Sequence, residues 1–132
     1  MAQRINIPAN TPWASLLAYS RAVAVGGQVF VAGTVPVDAH GQLVGDDDAY
    51  LQARQVLKVM VAALGEAGAG VSDVVRMRIY LRDYEDLDAV ARAQFEVFEH
   101  CRPACTVLRA DLARREFRVQ MDAEAHITAS LK

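Results

Sequence analysis

Two runs rich in β-branched and apolar residues, at positions 20–25 and 28–32, flank Gly26-Gly27. Because glycine tolerates positive φ, this pair suits the two-residue turn of a tight hairpin, which is the first predicted element. Asp46, Asp47 and Asp48 then stand where a helix start is capped and charge-complemented. The following stretch to Leu64 sets Ala53, Val56, Leu57, Met60, Val61 and Leu64 at helical spacing. Gly65, Gly68 and Gly70 end it. Residues 71–81 alternate, with Val75, Met77, Ile79 and Leu81 on one face and Val74, Arg76, Arg78 and Tyr80 on the other, so a strand with a dry and a polar side is expected. Asp83 is a candidate N-cap for a second helix over residues 84–99, striped by Leu87, Val90, Ala91, Phe95 and Phe98, with Pro103 just beyond. Two further strands are predicted at 104–110 and 116–127. The last alternates Phe117, Val119, Met121 and Ala123 against Arg118, Gln120, Asp122 and Glu124.

The predicted order is therefore β-β-α-β-α-β-β, an α+β two-layer domain with two helices on one face of a mixed sheet. The chain supplies nothing to cover the other face, which carries Arg76, Arg78, Tyr80, Arg118 and Gln120. A subunit interface with polar-lined clefts in a symmetric oligomer is the expected use of such a face.

Length and composition narrow this picture without changing it. At 132 residues with 53% hydrophobic and 23% charged positions, one globular domain can bury a core. Neither a spanning apolar run nor an apolar leader follows Met1-Ala2-Gln3-Arg4, so a cytoplasmic protein without membrane association is expected. A net charge of −2 gives no general attraction to nucleic acid. The cluster Arg109, Arg114, Arg115 and Arg118 is diluted by Asp111 and Glu116 and lacks interleaved aromatics, so a solvated turn explains it better than RNA binding. His100, Cys101 and Cys105 fall short of any standard metal spacing, and no metal is expected.

Tyr19-Ser20-Arg21-Ala22-Val23, Val29-Phe30-Val31-Ala32-Gly33-Thr34, Asp73-Val74-Val75-Arg76, Tyr80 with Asp83, Val97-Phe98, Arg102-Pro103-Ala104 and a closing strand to Ala125 follow one another in order. Together, from about Trp13 to Ala125, they resemble the RidA/YjgF family. The resemblance implies a chorismate-mutase-like fold, a homotrimer with ligand clefts between subunits, and hydrolysis of reactive enamines or imines to 2-keto acids and ammonia without a cofactor. It also implies a site in which an arginine two residues after a proline holds the substrate carboxylate and a glutamate on the last strand orients water. At those positions this chain has Cys105 and Gln120, while the family's serine and asparagine are Ala32 and Ala91; the tyrosine is retained as Tyr19. Cysteine holds no carboxylate by charge, and glutamine takes no proton as glutamate does.

Cys105 and Gln120 are thus the candidate catalytic positions, and Tyr19, Ala32, Gly33, Arg78, Cys105, Thr106 and Gln120 the candidate substrate-binding set. Cys105 is a nucleophile or redox thiol if Arg78 or Arg109 stabilises its thiolate, and a small buried strand residue otherwise. Arg76 and Arg78 either replace the missing carboxylate-binding arginine or pair with Asp122 and Glu124 across a trimer interface. Two functions follow: a divergent enamine/imine deaminase of altered specificity, or a trimer that binds a small metabolite, carboxylates included, without chemistry. An endoribonuclease role is a weaker third.

Overall fold

A computed structural model describes residues 3–127; Met1 and Ala2, where no apolar leader is expected, and residues 128–132 lie outside the described residues. Six strands form one mixed sheet in the order β1-β2-β3-β6-β4-β5. They are β1 (Arg4–Pro8), β2 (Ser20–Val25), β3 (Gln28–Thr34), β4 (Val74–Leu81), β5 (Ala104–Arg109) and β6 (Val119–His126). The β4–β5 pair is parallel and every other pair antiparallel. Three helices accompany the sheet: a short α1 (Ala14–Leu17), α2 (Ala49–Glu66) and α3 (Leu87–Phe98).

The expected hairpin is present, with Gly26 and Gly27 at φ 58° and 82° as its turn requires. Asp48, of the three candidate aspartates, is the α2 N-cap and accepts from the Leu51 amide at 3.0 Å. Asp83 caps a 3₁₀ turn, Tyr84–Asp86, and the second long helix begins only at Leu87. The expected order lacked two elements, β1 and α1. The Arg4–Pro8 run is an edge strand exposed at four of its five residues, so it carries no alternation to read.

The core lies between α2, α3 and one sheet face: Val56, Leu57, Met60 and Leu64 of α2 pack with Met77, Ile79 and Leu81 of β4 and with Val119, Met121, Ala123 and Ala125 of β6. Here the expected alternation of β4 fails at its start. Val74 is buried and Val75 is 52% exposed, because the pairing with β6 shifts between Val74 and Arg76. Such a bulge inserts one residue and reverses the faces ahead of it. The expected stripe of α3 also divides: Val90 and Phe98 are buried, whereas Leu87, Ala91 and Phe95 face outward beside β5. Phe117 lies ahead of β6, in a smaller cluster with Val35 and Val37.

Candidate functional site

The opposite sheet face gathers the polar residues. Arg78 Nε donates to Asp122 Oδ1 at 2.9 Å, its Nη2 reaches Glu124 Oε2 at 3.4 Å, and the Tyr80 hydroxyl donates to Asp122 Oδ2 at 2.9 Å. Arg76 Nε lies 3.7 Å from Glu124 Oε1. These pairs run between adjacent strands of one chain, a correction to the expectation that they would bridge subunits. The carboxylates raise the Arg78 pKa, so it is a committed cation and not a spare one. Arg118 does not join this face: it binds Asp47 and Asp86, tying the start of α2 to the turn ahead of α3. Arg114 stacks over Trp13 and Phe117 and donates to the Gly41 carbonyl at 3.2 Å. Two members of the arginine cluster are therefore structural pins, more engaged than a solvated turn.

Gln120 stands opposite Tyr80 in the register, beside Gly33. Between Val31, paired with Ala123, and Thr34, paired with Met121, two residues, Ala32 and Gly33, face a single one on β6. This is a bulge of the kind that re-aims backbone and side chains beside functional sites. A Cβ at Gly33 would fall 2.5 Å from Gln120 Nε2, so the absence of a side chain there lets the Gln120 amide lie against the bulge.

The bulge is buttressed from beneath by Arg21, only 6% exposed, whose Nη1 donates to the Gly33 carbonyl at 2.9 Å and to Thr34 Oγ1 at 2.8 Å. Its Nη2 donates to the Tyr19 hydroxyl at 2.9 Å, and that hydroxyl is shared with Thr11 Oγ1 at 2.7 Å. Tyr19 and Gly33 thus belong to one hydrogen-bonded network, and the Gln120 amide packs against it at Gly33. Arg21 was missed by sequence reasoning; the one signal was a charged residue inside an otherwise apolar strand.

Cys105 and Thr106 do not share a surface. Thr106 stands opposite Arg78 on the polar face, whereas Cys105 stands opposite the buried Met77. Cys105 lines an apolar groove of about 290 Å3 with Leu87, Ala91, Gln94, Phe95 and Val107. Within one chain, then, the candidates divide into a Gly33–Gln120–Thr106 side and a Cys105 side. The thiol is exposed rather than buried, and partial desolvation pushes its pKa up with no guanidinium acting on it, contrary to an activated thiolate. Alkylation of Cys105 by iodoacetamide is expected to quicken about tenfold per pH unit between about pH 7 and 9, following the thiolate fraction. A rate already level below about pH 8 would contradict this. Among the described residues no group of three His, Cys, Asp or Glu is placed to hold a metal ion. No helix there is long and apolar enough to cross a membrane.

Comparison with known proteins gives this arrangement its context. The profile of the family described as endoribonuclease L-PSP matches residues 9–127. The 3-aminoacrylate deaminase RutC of Acinetobacter baylyi is 31% identical over 127 residues, spanning 96% of this chain and 100% of that protein. A RutC family protein of Pyrococcus abyssi is 32% identical over 108 residues, 82% of this chain and 85% of its own. A crystal structure from Mycobacterium tuberculosis, described as a member of the highly conserved YjgF/YER057c/UK114 family, superposes with a TM-score of 0.85 at 32% identity, covering 95% of this chain and all of that one. With sequence match, relatives and fold in agreement over nearly the whole length, this chain belongs to the endoribonuclease L-PSP family, that is, the YjgF/RidA family.

Proposed function

We propose that the protein is a cofactor-independent hydrolase of the Rid type, converting a small enamine or imine to its carbonyl compound and ammonia in a cleft between subunits of a homotrimer. The observation that carries this reading is the Gln120 amide lying against the Gly33 bulge, with Arg21 fixing that bulge to Tyr19. A half-buried bulge with a side-chain amide laid against it suits the positioning of a water next to an electrophilic carbon. The 3-aminoacrylate deaminase similar to this chain acts, by its name, on an enamine.

Subunit assembly is supported by two surfaces. Along the groove beside β5, Leu87 and Phe95 are 39% and 52% exposed and Gln94 Oε1 is buried without a hydrogen-bond partner among the described residues; on the polar face, Leu108, opposite Tyr80, is 44% exposed. An edge strand flanked by apolar residues and an orphan carbonyl suits a covering neighbour. Because Cys105 and Gln120 occupy opposite faces of one chain, a cleft lined by both takes one residue from each of two subunits.

Specificity differs from that of an arginine-bearing cleft. Cys105 supplies no cation and Arg78 is neutralised by Asp122 and Glu124, so the cleft favours imines lacking a carboxylate at the reacting end. Gln120 orients water without accepting its proton, leaving that proton to solvent or to the departing amine. Proton movement in this form is slower than with a positioned base, by about 10²-fold or more. The metabolite-binding reading draws on that same loss and forecasts saturable binding without product. Ammonia release above a no-protein blank, from an uncharged imine faster than from its 2-carboxylate analogue, is the expected result. Saturable binding of both with no release would replace the hydrolase by the binding module.

A further inference from the structure

Arg21 is buried to 6% exposure, yet its hydrogen-bond acceptors are the neutral oxygens of Gly33, Thr34 and Tyr19. Among the described residues no carboxylate lies within ion-pair distance of it. A buried cation compensated only by neutral dipoles is costly, and an anion beside it relieves that cost. Burial accordingly lowers the Arg21 pKa.

The same side chain lines a recess of about 240 Å3 between α2 and the ends of β1 and β3, on the helix side of the sheet and away from the face that carries Gln120. Val35, Val37, Val59 and Ala62 give it an apolar wall, and Asn10, Thr11 and Gln55 line the remainder. Charges at its margin come in both signs: Lys58 and Glu66 on the exposed face of α2, and Asp38, whose Oδ1 is occupied by the amides of His40 and Gln42. One cation against two carboxylates leaves the margin slightly negative, and the buried guanidinium is the cation that faces an occupant inside the recess.

From this geometry we infer a second, intrachain ligand site, in which Arg21 holds the carboxylate of a small aliphatic monocarboxylic acid whose hydrocarbon part lies against α2. One buried cation matches one negative charge, and the planar guanidinium fits a carboxylate. Apolar walls favour a short alkyl chain over inorganic phosphate, whose second charge meets Asp38 and Glu66. The site is separate from the cleft proposed for hydrolysis, and its occupancy does not depend on turnover.

The test is an NMR titration of the full chain with sodium butanoate and with butanamide, its uncharged counterpart, at constant ionic strength. Butanoate is expected to shift the Arg21 Nε resonance and the amides of Val59 and Ala62 saturably, with butanamide roughly tenfold weaker or more. Arg21→Gln is expected to reduce butanoate affinity at least about tenfold. Because Arg21 also supports Gly33 and Tyr19, Ala62→Phe, at an exposed helix position, provides the independent variant: it fills the recess and removes none of the network's hydrogen-bonding groups. It is expected to abolish the saturable shifts. Absence of saturation in the unmodified protein, equal affinity for butanamide, or unaltered binding in Ala62→Phe would each overturn the site.

Discussion

Replacing Gln52 by leucine is expected to lower the unfolding free energy by about 3 to 5 kcal/mol, among the largest effects available to a single side chain here. Gln52 is fully buried in the first turn of α2. Its Nε2 donates to the carbonyls of Gly45 and Glu116 at 3.1 and 2.9 Å, and its Oε1 accepts from the Arg118 amide at 2.8 Å. Leucine has nearly the same shape but leaves the Glu116 carbonyl and the Arg118 amide unpaired, at about 1 to 3 kcal/mol each. Gly45 keeps a second donor, the Asp48 amide, and contributes less. Against a total of about 5 to 15 kcal/mol for a domain, the loss is large. Urea unfolding is the measurement: the midpoint should fall with an unchanged slope, and a loss under about 1 kcal/mol would show that water replaces the amide.

The same residue illustrates what the chain makes legible and what it hides. A glutamine within an amphipathic pattern looks like a solvated helix position, because its three partners lie in segments that meet only in the folded sheet. The hairpin, both long helices and the alternation of β6 were legible, since each rests on local spacing or on turn and capping residues. The bulges at Val75 and at Ala32-Gly33 were not, because a bulge is a mismatch between two strands and neither strand alone records it. The consequences reach the site. Without the second bulge, Gly33 is one glycine in a strand; with it, Gly33 is where the Gln120 amide meets the bulged backbone. Likewise Cys105 and Thr106, neighbours in sequence and grouped as one ligand set, point to opposite faces by strand geometry.

The second large effect concerns chemistry. Cys105→Arg is expected to raise kcat/KM for a 2-imino acid by about 10- to 100-fold, the equivalent of the roughly 1.5 to 3 kcal/mol of a charge-assisted contact to a carboxylate. Cys105 is exposed in a groove whose far wall includes Ala91 and Gln94, so a longer side chain enters open space without displacing core residues. Its neighbour Arg102 stacks on Phe95 at 5.8 Å and leaves the position itself uncharged. The gain should lie mainly in KM for the carboxylate-bearing substrate, with little change for an uncharged imine, because the guanidinium binds the acid group in ground and transition states alike. Adding Gln120→Glu should then raise kcat by restoring a proton acceptor beside Gly33.

Whether this fold retains a working Rid cleft with altered charge is decided by ammonia release from a 2-imino acid generated in the cuvette. Unmodified protein, Cys105→Arg and a blank are compared at equal concentration, after light scattering has given the mass of each protein as a multiple of the 14.4 kDa chain. A trimer is expected in both cases, with the arginine variant at least about tenfold faster than the unmodified protein at substrate concentrations below KM. A single-chain mass, or a variant no faster than the unmodified protein, would contradict it.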